Sequence, residues 1–117
     1  MFQVLDFKIP PVEDDGKPGK VVIDDQLKSE YKGGTTGLTI WTPIYEDMRL
    51  IEIELDIDSV EVFPAGFPAE LYSSNQFRNT QTLDLTFPKE SKIEGAITNF
   101  NDHPVDISLI LYVKLQE

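Results

Sequence analysis

The chain has 117 residues, no cysteine, and 21 acidic against 10 basic side chains, for a net charge of −11. That length suits one domain able to bury about two thirds of its unfolded surface without staples, and the lack of cysteine removes disulfides and thiolate metal sites. The first 62 residues carry 14 acids and 6 bases and the remainder 7 and 4, so no basic cluster exists to replace phosphate counterions, and neither nucleic acid nor an anionic membrane is an expected partner. No apolar run approaches the roughly 20 residues needed to span a bilayer.

Residues Phe2 to Ile9 read as a first strand, stopped by Pro10-Pro11. The start lacks the basic residues and apolar core of a signal peptide, so the chain is expected to be made and folded in the cytoplasm. Val12 to Lys20 is polar, with Gly and Pro, and reads as a mobile loop. Residues 1–20 are thus expected to be an N-terminal strand or arm with its loop, and residues 21–117 the body of a single domain. Val21-Val22-Ile23 is a short β-branched run, and Gly33-Gly34 marks a turn. Leu38 to Thr42 is a strand ended by Pro43, because proline cannot donate to a ladder.

Glu46-Asp47 reads as a turn into a long strand. There Ile51, Ile53, Leu55 and Ile57 alternate with Glu52, Glu54, Asp56 and Asp58. Side chains of a strand point to opposite faces with period two, so this strand has one aliphatic and one acidic face. Val60 to Phe63 is short. Phe63-Pro64-Ala65-Gly66-Phe67-Pro68-Ala69-Glu70 holds two tandem Phe-Pro-Ala-x units and reads as a loop, with Leu71-Tyr72 starting another short strand. Residues 73–81 are polar.

Thr82 to Phe87 alternates again, Lys89 to Lys92 has room for one helical turn at most, and Ile93 to Phe100 is a strand weakened by Gly95. Asn99 to Pro104 is a turn into the last strand, Val105 to Leu115. Its second face turns apolar at Ile110 and Tyr112, as in a central strand buried on both sides or one that docks on another subunit. No segment sustains helical periodicity. About eight short strands joined by turn chemistry predict an all-β fold, an antiparallel β-sandwich or jelly roll without substantial helix.

No catalytic or cofactor motif is present. The four acids on one flat strand face do not converge as a hard cation requires. Asp14-Asp15-Gly16 and Asp24-Asp25 lack the alternating ligands and distal glutamate of a calcium loop, which leaves Asp14 and Asp15 a weak cation candidate. His103, the only histidine, lies in a turn with no nucleophile elbow in the chain, and a cupin-type metal site needs several histidines. The loop-proximal aromatics Tyr45, Phe67 and Tyr72, with Trp41, Phe63, Phe77 and Phe100 nearby in sequence, either close the ends of the core or face a ligand such as a glycan. No cofactor is expected.

Gly37-Leu38-Thr39-Ile40-Trp41-Thr42-Pro43 leads into Arg49-Leu50-Ile51. Later, Gly95-Ala96-Ile97-Thr98-Asn99 passes through a turn to Pro104-Val105-Asp106-Ile107-Ser108. Over residues 35–117 these segments resemble small β-sandwich virion proteins of tailed bacteriophages. The resemblance implies a non-catalytic role in a capsid, tail or fibre, often as a symmetric oligomer, and brings no active-site residues. The leading expectation is therefore a structural or assembly protein, incorporated in a virion, that contacts other copies or other virion proteins, with Ile110 and Tyr112 as interface candidates. The alternative is a carbohydrate- or ligand-binding sandwich that uses Tyr45, Phe67 and Tyr72.

Overall fold

The computed structural model describes residues 2–27, 35–72, 81–86 and 91–114, without the side chains of 2, 35–37, 81–86 and 112–114. The Gly33-Gly34 turn, the polar segment 73–80, Phe77, Phe87, residues 89–90, Leu115 and the Tyr112 side chain lie outside this description.

Among the described residues eight strands run β1 (Phe2–Ile9), β2 (Gly19–Gln26), β3 (Thr35–Trp41), β4 (Ile51–Ile57), β5 (Val60–Pro68), β6 (Gln81–Thr86), β7 (Lys92–Asn99) and β8 (Val105–Lys114). Two 3₁₀ helices, η1 (Tyr45–Leu50) and η2 (Ala69–Tyr72), are the only helices among the described residues. One antiparallel sheet has the order β1-β8-β3-β6 and the other β2-β7-β4-β5. Pairing first with last, second with seventh, third with sixth and fourth with fifth is the winding of a jelly roll.

The inner faces form one aliphatic core. Ile53 and Ile57 of β4 lie opposite Ile97 and Ile93 of β7 in their own sheet, with Ile51 and Leu55 on the same face, while Leu38 and Ile40 of β3 meet Leu111 and Leu109 of β8 in the other. All are buried. Residues 2–9 are an edge strand of this sandwich: β1 pairs with β8 from Phe2↔Tyr112 to Ile9↔Val105, and Leu5 and Ile9 are buried in the common core. Gln3 Nε2 donates to the Gln26 carbonyl at 2.9 Å, tying β1 to β2 where the two sheets meet. In the following loop, Glu13 N–H donates to Lys17 O and Val12 N–H to Asn101 O.

Four segments differ from the sequence reading. The tandem Phe-Pro-Ala-x stretch is not a loop but most of β5. Prolines are tolerated there because β5 is an edge strand with one row of unpaired donors. Leu55 pairs with Phe63 and Ile53 with Phe67, so Pro64-Ala65-Gly66 is bulged out, with Gly66 at φ +79°. Both phenylalanines thereby reach the inner face. Leu71-Tyr72 belongs to η2 rather than a strand, and Glu46-Asp47 to η1 rather than a turn. Asp58 leaves the acidic strand face: with Ser59 it forms the two-residue turn between β4 and β5, both at positive φ (52° and 65°), as a tight hairpin with right-handed strand twist requires.

Candidate functional site

The end of the sandwich that carries η1 is organised by Asn99. Its side chain is fully buried at the last position of β7. Its Nδ2 donates to Pro10 O at 3.1 Å and His103 O at 3.0 Å, with Ile9 O at 3.4 Å. Its Oδ1 accepts from Asn101 N and Asn101 Nδ2, both at 2.8 Å. Asn101 Nδ2 also donates to the backbone carbonyl of Asp47. The two amides thus join the end of β1, the β7–β8 turn and η1, and supply polar partners that this buried junction could not take from water.

His103 sits on the outside of the same junction. Its Nδ1 lies 2.9 Å from Asp102 Oδ1 and its Nε2 lies 2.8 Å from Asp47 Oδ1. A neutral imidazole has one N–H, so only the imidazolium can donate to both carboxylates. The hydrogen bonds from Asp102 and then Asp47 raise the His103 pKa above its ordinary value, and His103 in turn holds Asp102 below the usual carboxylate range. This triad of charges clasps η1 to the β7–β8 turn.

The sequence-selected aromatics divide. Phe67 stacks on the buried Phe63 (centroids 4.7 Å, 17° between planes), and Tyr72 meets Phe63 edge-on at 4.9 Å. Phe67 and Tyr72 are half-buried and pack against the core, and burial pushes the Tyr72 phenol pKa up. Tyr45, at the start of η1, is also half-buried. Ile110 is half-buried on the outer face of the first sheet, on central strand β8, in a row with Val4 of β1 and Thr39 of β3. Thr39 is buried in that row, and its Oγ1 has no hydrogen-bond partner.

Among the described residues two aromatic side chains are exposed, Phe100 beyond the end of β7 and Trp41, 44 % exposed at the end of β3. Leu38 and Ile40 take the inward positions, so alternation sends Trp41 outward. It stands in a cross-strand row with Ser108 of β8 and Asp6 of β1, next to the pair Lys8–Asp106. These residues and Pro43 line a shallow groove of about 430 Å³.

The outer face of the other sheet is acidic. The register sets Asp24, Glu94, Asp56 and Glu61 side by side across β2, β7, β4 and β5, at about 4.8 Å per strand. Lys20 stands two positions away from Val22 on the same face, in a row with Thr98 and Glu52. Among the described residues no group of three histidines, cysteines or acids is arranged to hold a metal. Asp15 Oδ1 accepts from Lys17 N–H within its own turn. No helix among the described residues is long and apolar enough to cross a membrane. Comparison of the chain with protein-family models, curated proteins and solved structures finds no match.

Proposed function

We propose that this protein is a non-catalytic assembly component that works by contacting other proteins, as part of a virion's capsid, tail or fibre. The observation that supports this reading most is a set of exposed apolar side chains at the η1 end of an acidic molecule. Ile44, Leu50, Leu71 and Phe100 are all exposed. Leu50 closes η1 and accepts, through its carbonyl, the N–H of Phe100 at 2.8 Å. Ile44 caps the start of η1, and Leu71 lies on η2, which packs against η1. Exposed aliphatic and aromatic side chains at one end of a molecule favour protein contacts. Jelly rolls serve capsid and lectin domains and cupins alike, so the architecture is compatible with assembly without selecting it.

Light scattering behind a sizing column at low and high salt tests the reading. A discrete oligomer is expected, stronger at high salt, where the repulsion between chains of charge −11 is screened. The double variant Leu50→Glu, Leu71→Glu is expected to dissociate it while leaving the unfolding midpoint in place. Ile110→Asp asks the same of the outer β8 face. A monomer at both salts would remove self-assembly from the proposal.

A further inference from the structure

We propose that the groove around Trp41 is a binding site for an uncharged saccharide ring, stacked on the indole and hydrogen-bonded by Asp6, Lys8, Asp106 and Ser108. This site is separate from the apolar side chains that support the assembly reading, and stands or falls without them.

The first observation is the indole itself. Trp41 points away from the core and remains 44 % exposed, although a tryptophan side chain is among the largest apolar surfaces a fold can bury. Its mounting is rigid. Trp41 pairs with Ser108 in the β3–β8 ladder, and the next residue, Thr42, donates its Oγ1 to Asp106 O at 2.8 Å. The strand end that carries the indole is therefore fixed before any ligand arrives, which reduces the ordering cost of binding.

The second observation is what surrounds it. About 10 Å, two strand spacings, separate Trp41 from Asp6 across Ser108, so the polar groups stand beside the indole rather than over it. The Ser108 hydroxyl already donates to Asp6 Oδ1, which leaves the second Asp6 oxygen and the hydroxyl's lone pairs to accept. Lys8 stands opposite Asp106 in register and offers ammonium donors next to carboxylate acceptors. The groove, about 430 Å³, falls within the roughly 300–1,000 Å³ range of small-molecule sites.

The charge balance selects the ligand class. A metal ion needs several converging ligands, and among the described residues no group of three histidines or acids is placed to hold one. An anion would meet two carboxylates for one ammonium on a chain of charge −11. A pyranose ring has an apolar C–H face for the indole, and its hydroxyls both donate and accept, which matches a mixture of donors and acceptors beside an aromatic plane.

Trp41 is the only tryptophan, so intrinsic fluorescence reports this groove alone. The probes are the methyl glycosides of glucose, galactose, mannose, fucose and N-acetylglucosamine, with tetramethylammonium chloride as the cationic comparison. At least one glycoside is expected to shift or quench the emission saturably, with a Kd of about 1–10 mM for so few contacts. Amide proton–nitrogen spectra of the same titration should move Asp6, Trp41 and Ser108. Trp41→Ala should abolish those amide shifts and Asp106→Asn should weaken binding at least about tenfold, with unfolding midpoints showing that both variants fold. Trp41→Phe, which keeps a smaller ring, should retain part of the affinity. No saturable change with any glycoside up to about 100 mM overturns the proposal. So does a response to tetramethylammonium alone, which would make the groove a cation site. A parent chain that shows no glycoside shifts, with an oligomer that Trp41→Ala dissolves, would assign the indole to a protein contact instead.

Discussion

Replacing Asn99 by alanine tests the account of the η1 end most directly. The side chain is fully buried and makes four hydrogen bonds of 2.8–3.1 Å, two given and two received, besides the longer approach to Ile9 O. At about 1 kcal/mol net for each bond, the loss is about 4 kcal/mol, and unpaired carbonyls at Pro10 and His103 push it higher where water cannot enter. A chain of this length has roughly 6–18 kcal/mol to lose. Urea unfolding should therefore show a midpoint lowered by about 2 M at an unchanged slope. Asn99→Asp sharpens the test. The carboxylate still accepts from Asn101 but now faces the oxygens that Nδ2 served, so at neutral pH it should cost at least as much as alanine. Its carboxyl is held protonated more readily in the folded state than in the unfolded one, so the deficit should shrink as pH falls. An alanine variant within about 1 kcal/mol of the parent, or an aspartate variant that improves with rising pH, would refute the assignment of Asn99 as the junction of β1, η1 and the β7–β8 turn.

Gly95→Ala places a Cβ 2.0 Å from the Glu54 carbonyl oxygen, in the middle of a sheet where neither strand can step aside; thermal or urea unfolding should show a loss of at least about 2 kcal/mol. Glu94→Gln removes one charge from the row Asp24–Glu94–Asp56–Glu61 and should stabilise by about 0.2–1 kcal/mol, a gain measured by the same unfolding and diminished in high salt. The His103 clasp has a definite pH sign. The His103 pKa is raised by folding, so its contribution is complete below the unfolded value of about 6.5 and is lost as pH rises through the higher folded value. Asp102 is depressed, so its contribution is present above the ordinary carboxylate range and is lost as pH falls through the lower folded value. The stability difference between parent and His103→Gln should then peak in mildly acid solution and fade above neutrality; a difference that grows into alkaline solution would contradict the clasp.

The strands that sequence revealed are those with uninterrupted alternation. Ile51, Ile53, Leu55 and Ile57, and likewise Val105, Ile107, Leu109 and Leu111, all turn inward, because an alternating apolar face leaves a strand a single sensible register. The same parity could have placed Trp41. With Leu38 and Ile40 inward, the next residue has to face out, and the exposed indole follows from three letters of sequence. What local pattern concealed was settled by position in the sheet. Pro64 and Pro68 argue against a strand in general, yet edge position and bulges admit them in β5. Asp58-Ser59 carries no glycine or asparagine to announce positive φ, and the turn is imposed by the strands on either side. Asn99 looked like the first residue of a polar turn. Its role as a buried junction depends on carbonyls of Ile9 and Pro10, some 90 positions away, which no local reading brings together.

The order of the sheets also sets a timetable. β4 and β5 are the only strands consecutive in the chain that pair with each other among those described, and two residues join them. Every other pairing spans an intervening stretch, and β1 finds its partner only in β8. On the ribosome β1 leaves the tunnel while its partner is still unmade, so the β4–β5 hairpin can close early but the outermost winding waits until β8 has been made. Long-range pairing of this kind folds in milliseconds to seconds rather than microseconds. During that interval the Phe2–Ile9 segment is at its most exposed, and a nascent chain stalled short of Val105 has nothing to complete its first sheet.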